Sequence, residues 1–377
     1  TANTGGGGGG GTDSLSPRYG AAGGSGIVVT KELNKASGVW SMQSQFQKQQ
    51  AGTWPDGEVL IGFDYLVIAG GGGSGDSRSG GGGAGGYRTS FPGGTKLLLA
   101  EGCHSVVVGA GAVGGSGDAG TSRTGTNSSI VTPDSTLFSA SGGGSSNPYS
   151  IPGGPGGGGS GGSAGANQAG NPSSPSPNLG NAGGYTPPEG NDSGIPGTAA
   201  ADAGTGGGGG AGAVGTAGNP YPGPGTAGAG GIGATIATDF FGPPAPSYGT
   251  PGPAPGRYFA GGAGGALYNT SGNQAAAGAG SSGGGGAGGA PASPYNGAAG
   301  NKGTDGTVNT GGGGGGSSYG NAPAPVGASG GSGIVVIRGP SGVTFAVSPG
   351  VNTTSTHPGG DKLAVFTVSG TNTITIS

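Results

Sequence analysis

Uninterrupted glycine, as in Gly206–Gly210, limits the folding of this chain more than any other feature. Glycine loses more backbone freedom on ordering than any other residue, and fixing one residue costs roughly 1–2 kcal/mol. Such a run brings no side chain to bury in return. A collagen triple helix is excluded, because strict glycine at every third residue is missing and Gly206–Gly210 breaks any triplet register. The stretch from Gly109 to Thr310, dominated by Gly, Ala, Ser, Asn and Pro, is too long for a structureless loop within an ordered domain. The remaining solution is a bundle of polyglycine-II segments, the glycine form of the polyproline-II helix. These have three residues per turn and no internal hydrogen bonds, so every N–H and C=O points outward. Only glycine lets neighbouring backbones approach closely enough to pair those groups, which must be paired once buried. The expected core is therefore a lattice of backbone hydrogen bonds with reversals at Pro, Asn and Tyr clusters. A net hydrogen bond contributes only about 0.5–1.5 kcal/mol, so the lattice is near balance unless flanking strands clamp its ends.

Composition narrows the function classes. The 377 residues include 108 Gly and 29 Pro, with 7% charged and 30% hydrophobic residues and a net charge of −3. No Lys or Arg occurs between Thr124 and Gly256, while Asp134, Glu189, Asp192, Asp202 and Asp239 are acidic. A nucleic-acid partner needs a basic stripe to displace counterions, and none is present. The longest apolar runs, Leu66–Ala69 and Ile334–Ile337, fall far below the ~18 residues of a membrane helix, so no membrane insertion is expected. Cys103 has no partner for an intrachain disulfide. With only His104 and His357 beside it, it also lacks a full set of soft ligands for a metal, and it reads as a small buried hydrophobe. No metal or cofactor is expected.

One long internal repeat organises the chain. Thr1-Ala-Asn-Thr with its glycine run and Gly23-Gly-Ser-Gly-Ile-Val-Val29 return as Thr307-Val-Asn-Thr, a second glycine run and Gly330-Gly-Ser-Gly-Ile-Val-Val336. The expected division is 1–31, the end of a preceding glycine-rich repeat; 32–62, a connector; 63–338, a full glycine-rich unit; and 339–377, a C-terminal β module. In the connector, Val39, Met42 and Phe46 share a helical face behind a Ser37 cap, and Gly52 with Trp54-Pro55 ends it. Strands are predicted over Phe63–Ala69, Lys96–Ala100, Ser105–Val108 and Ile334–Arg338, and in the C-terminal module over Phe345–Val347, Leu363–Val368 and Asn372–Ser377. The fold class is thus mainly irregular and all-β: a polyglycine-II bundle with short flanking strands and at most one short helix.

Motif matches must be discounted for the glycine content. Val67-Ile-Ala-Gly-Gly-Gly-Gly-Ser-Gly75 lacks the helix pattern and the Lys-Ser/Thr of a phosphate loop. Gly72-Gly-Ser-Gly-Asp76 lacks the tandem nonapeptides of a calcium β-roll. His104 and His357 lack a Gly-x-Ser-x-Gly elbow, so no catalytic residue is assigned. The aromatic clusters are more informative. Tyr149, Tyr221, Phe240, Phe241, Tyr248 and Tyr295 lie beside turn-forming Pro and Gly, at candidate loop tips where rigid rings give contact area at low entropic cost. They are the candidate receptor contacts. The competing reading folds each ring back over the lattice edge.

Several stretches resemble the glycine-rich repeat of bacteriophage tail-fibre and adhesin proteins of marine and cyanobacterial phages: Ser37-Gly-Val-Trp-Ser-Met, Ala51-Gly-Thr-Trp-Pro55, Asp64-Tyr-Leu-Val-Ile-Ala-Gly70, Gly82-Gly-Ala-Gly-Gly-Tyr-Arg88, Val106-Val-Val-Gly-Ala-Gly111 and Gly333-Ile-Val-Val-Ile-Arg338. Phe366-Thr-Val-Ser-Gly-Thr371 looks like the strand common at their ends. The likeness implies a noncatalytic fibre or adhesin on a virion surface. Its implied partners are a host cell-surface glycan or outer-membrane protein and further copies of the chain within a fibre. The alternative is a structural extracellular filament or matrix protein with glycine-rich spacers.

Overall fold

The computed structural model describes residues 59–116, 124–132, 137–146, 179–181, 183–197, 204–219, 226–267, 276–290, 300–318 and 326–377, with a few positions before them. The chain divides into two compact units, Thr1–Gly57 and Glu58–Ser377. In the first, Gln43, Phe46, Gln47 and Gln50 are helical and Phe46 is exposed, within the predicted connector helix. Of the repeat end at 1–31 only residues 23, 25 and 26 are described, and Val39 and Met42 of the predicted helical face lie outside the described residues.

The second unit joins a β-sandwich to a glycine lattice. Its strands are β1 (Ile61–Ile68), β2 (Tyr87–Thr89), β3 (Leu97–Leu99), β4 (Gly102–Val108), β5 (Ser128–Val131), β6 (Leu137–Ala140), β7 (Ala234–Ile236), β8 (Arg257–Phe259), β9 (Ile334–Gly339), β10 (Phe345–Ser348), β11 (Thr353–Thr356), β12 (Lys362–Phe366) and β13 (Gly370–Ile376). One sheet has the order β11-β12-β9-β1-β2 with β3 also on β1; the second runs β10-β13-β4-β5-β6; β7 and β8 form a separate pair. The paired neighbours within each sheet run antiparallel. Residues 339–377 therefore do not stand apart as a module: β12 pairs with β9 and β13 with β4, completing both sheets.

Strand alternation explains the packing. Phe63, Tyr65 and Val67 of β1 point into the sandwich with Val335, Ile337, Val106, Val108, Ile130, Phe366 and Ile374. Leu66 and Ile68 point the other way, with Ile334, Val336, Leu363 and Val365, onto Phe240, Phe241 and Phe259. The first sheet is buried on both faces, which is why β1 and β9 are continuous apolar runs rather than alternating ones. Alternation also corrects one expectation. His104, Val106 and Val108 of β4 face inward, so Cys103 faces solvent and is an exposed free thiol.

The sandwich strands continue directly into lattice segments: β1 into 69–75, β4 into 109–116 and β6 into 141–146, while 79–86 leads into β2 and 326–333 into β9. Segment 79–86 shows the lattice rule. Its amides take three neighbours in rotation, Gly81 and Ala84 donating to Gly206 and Gly209, Gly82 and Gly85 to Gly314 and Gly311, and Gly83 and Gly86 to Gly144 and Ser141. Partners recur every third residue, the signature of three residues per turn. The carbonyl of Gly82 accepts from Ala263, and those of Gly83 and Gly86 from Gly72 and Ala69. The predicted backbone lattice is thus present, and the middle of the chain is neither helical nor in long strands among the described residues.

Run length follows position. Enclosed segments such as 69–75 and 311–318 pair with six neighbouring segments, and they carry long glycine runs. Outer segments keep glycine on the buried row and place other residues outside, as in Gly212-Ala-Val-Gly-Thr-Ala-Gly218 and Gly303-Thr-Asp-Gly306. There, Thr hydroxyls satisfy the lattice edge: Thr126, Thr216 and Thr304 each donate their own N–H to the carbonyl of Ala110, Ala229 or Ala287 and accept that alanine's N–H on Oγ1.

Candidate functional site

The lattice has two ends, and the hydrogen-bond register assigns every reversal to one of them. At the sandwich end, Tyr87 N–H donates to Glu189 O, Ala211 to Ala260 O, Ala260 to Thr310 O and Gly311 to Ser332 O. At the opposite end, here the tip, Ser146 donates to Gly73 O, Gly115 to Ser74 O, Ser79 to Ser317 O, Ser318 to Asn301 O, Thr205 to Ala266 O, Asn219 to Thr226 O and Ala227 to Ala276 O. The described segments that end at Ser116, Gly197, Asn219, Leu267, Ala290 and Ser318 therefore end at the tip, and the next ones begin there at Thr124, Gly204, Thr226, Ala276, Gly300 and Val326.

This division sorts the candidate contact residues. Phe240 closes a 3₁₀ turn, Thr238–Phe240, and both Phe240 and Phe241 are fully buried at the sandwich end. Their rings meet edge to face at 5.1 Å, Phe240 packs on Phe91 at 5.3 Å, and Phe241 packs on Tyr248 at 5.1 Å and on Phe259 at 6.0 Å. Arg257 holds this loop through the carbonyls of Tyr248, Gly249 and Pro246. Phe240 and Phe241 are hence core residues rather than receptor contacts. The second apolar face of the first sheet needs a cover, and this aromatic loop supplies it. Tyr248 is half-buried and serves the same cover. Tyr149, Tyr221 and Tyr295 lie outside the described residues; the described chain on their N-terminal side stops at Ser146, Asn219 and Ala290, at the tip.

Polar groups at the sandwich end are also committed to structure. The Arg88 guanidinium lies between the rings of Phe138 and Tyr185, at 3.9 and 4.0 Å, and donates to Ser139 O. The fully buried carboxylate of Glu189 accepts N–H groups from Ser141 at 2.8 Å and Gly183 at 3.0 Å, as a backbone carbonyl would. Arg338 binds Asp361 at 2.9 Å and donates to the carbonyls of Asp239 and Phe240. Burial holds the Tyr87 phenol above its ordinary range, with its hydroxyl on Thr235 O. Sequence reasoning missed these clusters because the groups that Arg88, Glu189 and Arg338 bind, among them Ser139 O, Ser141 N–H and Asp239 O, lie far from them along the chain.

Neither histidine builds a catalytic pair with a hydroxyl among the described residues. His104 Nε2 lies 2.8 Å from Ala100 O, bracing the turn between β3 and β4. His357 Nδ1 accepts Gly359 N–H at 3.0 Å, which leaves Nε2 facing Asp239 at 3.4 Å. No group of three or more His, Cys, Asp or Glu able to hold a metal occurs among the described residues, and no helix there is long and apolar enough to cross a membrane.

No curated protein and no solved structure matches this sequence. A family model described as a glycine-rich domain matches residues 47–340, which cover the full lattice and the strands that bracket it up to the end of β9. With most of its length in that match, the chain belongs to the glycine-rich domain family.

Proposed function

We propose that this chain is a noncatalytic segment of a virion fibre or adhesin, which holds a set of loops against a host cell-surface glycan or outer-membrane protein. The reading is supported above all by one observation: the lattice segments that end at Asn219, Leu267, Ala290 and Ser318 all end on the side opposite the sandwich. Enclosed lattice segments have little side chain with which to discriminate a ligand, so specificity falls to the connections that close them. The candidate contacts are Tyr149, Tyr221 and Tyr295, which follow Ser146, Asn219 and Ala290 of the tip in the sequence, and not the buried Phe240 and Phe241.

The test is adsorption of purified chain to a panel of bacterial cells. Changing Tyr149, Tyr221 and Tyr295 together to Ser should abolish adsorption with the melting temperature unchanged, since aromatic anchors at interfaces cost about 2 kcal/mol or more when truncated. Adsorption that survives all three changes refutes the placement. The alternative is an extracellular filament built of spacer repeats, favoured by the sequence repeat of 1–29 at 307–336. It predicts no saturable adsorption to any cell type, and self-association instead.

A further inference from the structure

The two sides of the sandwich are finished differently. On one side the edge strands β2 and β6 are tied together. Arg88 of β2 donates to Ser139 O of β6, Tyr87 N–H donates to Glu189 O, and the Glu189 carboxylate takes the Ser141 N–H just beyond β6. The Tyr185 ring lies over the Arg88 guanidinium. A charged side chain and a covering loop are common protections of a sheet edge, because open rows of N–H and C=O recruit further strands.

On the other side the edges are β10 in the second sheet and β11 in the first. Neither strand, Phe345-Ala-Val-Ser348 or Thr353-Thr-Ser-Thr356, holds a charged residue or a proline. Their registers with β13 and β12 run without a bulge. Register also fixes which backbone groups of β11 point outward. His357 N–H donates to Asp361 O, the position next to the Thr356–Lys362 pair, so Ser355 and Thr353 likewise turn their N–H and C=O toward β12. Thr354 and Thr356 turn theirs away from the sheet. Thr353, Thr354 and Thr356 are exposed. The strand is firmly placed, because buried Asn352 at its start donates from Nδ2 to Asn372 Oδ1 at 2.9 Å and accepts Thr367 N–H on Oδ1 at 3.1 Å.

We propose that β11 is the contact through which two copies of this chain associate, its edge pairing antiparallel with the same edge of a second copy. Thr354 and Thr356 flank Ser355 symmetrically. A two-fold axis at Ser355 sets Thr354 against the second copy's Thr356 and the reverse, so every outward donor of one copy meets an outward acceptor of the other. Charge favours this occupant. Lys362, whose Nζ donates to Thr356 Oγ1, sits at one end of β11, and the axis carries its counterpart to the opposite end, so like charges do not oppose. The facing side chains are uncharged and β-branched, and Thr–Thr pairs across strands are favourable. The contact lies on the sandwich and not at the tip, so it stands or falls apart from the receptor reading.

The test is sedimentation equilibrium of the intact chain over a range of concentrations. The expected species has twice the 34.1 kDa of one chain. Thr354→Pro removes one outward donor per copy and none that faces β12, so the dissociation constant should rise by roughly 10-fold or more while the melting temperature of the monomer holds. A protein that remains a single chain at ~1 mM, the weak end of association, overturns the proposal. So does a dimer that Thr354→Pro leaves intact, or one that Val347→Pro in β10 dissociates and Thr354→Pro does not. If Thr354→Pro fails to fold, isotope-filtered nuclear magnetic resonance of a mixed labelled sample decides. Overhauser contacts between the α protons of Ser355 in two copies are expected, and contacts between copies that involve other strands and not β11 refute the pairing.

Discussion

Gly82→Ala should be among the most damaging single changes in this protein, although it adds one methyl group. A Cβ on Gly82 would meet Gly72 O far inside 3.0 Å, a separation real Cβ atoms essentially never show, and Gly314 N at 3.1 Å. The obstruction is backbone on two sides, so no rotamer relieves it and the segments must part. Parting them weakens the bonds from Gly82 N to Gly314 O and from Gly72 N to Gly83 O, both 2.9 Å. Two lost net hydrogen bonds amount to about 1–3 kcal/mol, and overpacking adds about 1–3 kcal/mol. Against this, replacing glycine restricts the unfolded chain and returns about 0.4–1 kcal/mol. The net expectation is a loss of roughly 1–6 kcal/mol. At about 2–4 °C per kcal/mol for a unit of this size, the melting temperature should fall by roughly 2–20 °C in calorimetry. The control is Gly342→Ala, where a Cβ meets nothing within 4 Å and φ is not left-handed, so the same change should be neutral or stabilise by up to about 1 kcal/mol. A Gly82→Ala protein that melts within 1 °C of the parent would refute the claim that glycine there serves backbone approach.

Phe241→Ser should lower stability by about 3–5 kcal/mol in chemical denaturation, the cost of emptying a core aromatic site, and not act selectively on adsorption. Replacing Arg88 with Met should cost about 1–3 kcal/mol by equilibrium unfolding, because it removes the cation between the Phe138 and Tyr185 rings and leaves Ser139 O without its donor. Thr216→Val strips the acceptor from the Ala229 N–H at an exposed edge and should cost about 0.5–1.5 kcal/mol, with faster exchange confined to Ala229 as the diagnostic. Asp305 gives a pH dependence. Burial pushes its carboxyl up, but the bond from Lys302, the N–H of Ser329 and the Lys302 charge together hold it below its ordinary value. A depressed folded-state value means the contribution is complete above the unfolded carboxylate range and is lost as pH falls through the folded one. The pair is half exposed, so Asp305→Asn should cost less than about 1 kcal/mol at neutral pH and flatten the acid limb slightly.

Much of the lattice was legible because its constraint is local. A backbone that pairs in six directions tolerates no Cβ, so an uninterrupted glycine run such as Gly311–Gly316 announces an enclosed segment. A triplet pattern such as Gly212-Ala-Val-Gly-Thr-Ala-Gly218 announces an outer one. The strands at Phe63–Ala69 and Ile334–Arg338 were equally plain, since a sheet buried on both faces needs consecutive apolar residues. The shorter β2, β5, β6, β7, β8 and β11 escaped, because each is only three or four residues and is fixed by its pairing rather than by its own propensity.

What the sequence alone settled is the kind of core, glycine backbone clamped by a few apolar strands, because that follows from which residues carry a Cβ. The tertiary structure decided where each turn came to rest. The clusters at Asn219-Pro-Tyr and at Phe240-Phe-Gly-Pro look alike as text, aromatic rings beside proline. Chain direction brings Asn219, which opens the first, to the tip, while the second lies against Leu66, Ile68 and Val336. Cys103 likewise faces solvent only because the pleat of β4 is fixed by His104, Val106 and Val108 on the sandwich side. Direction, register and face are properties of pairing between segments far apart in sequence, and no local stretch encodes them.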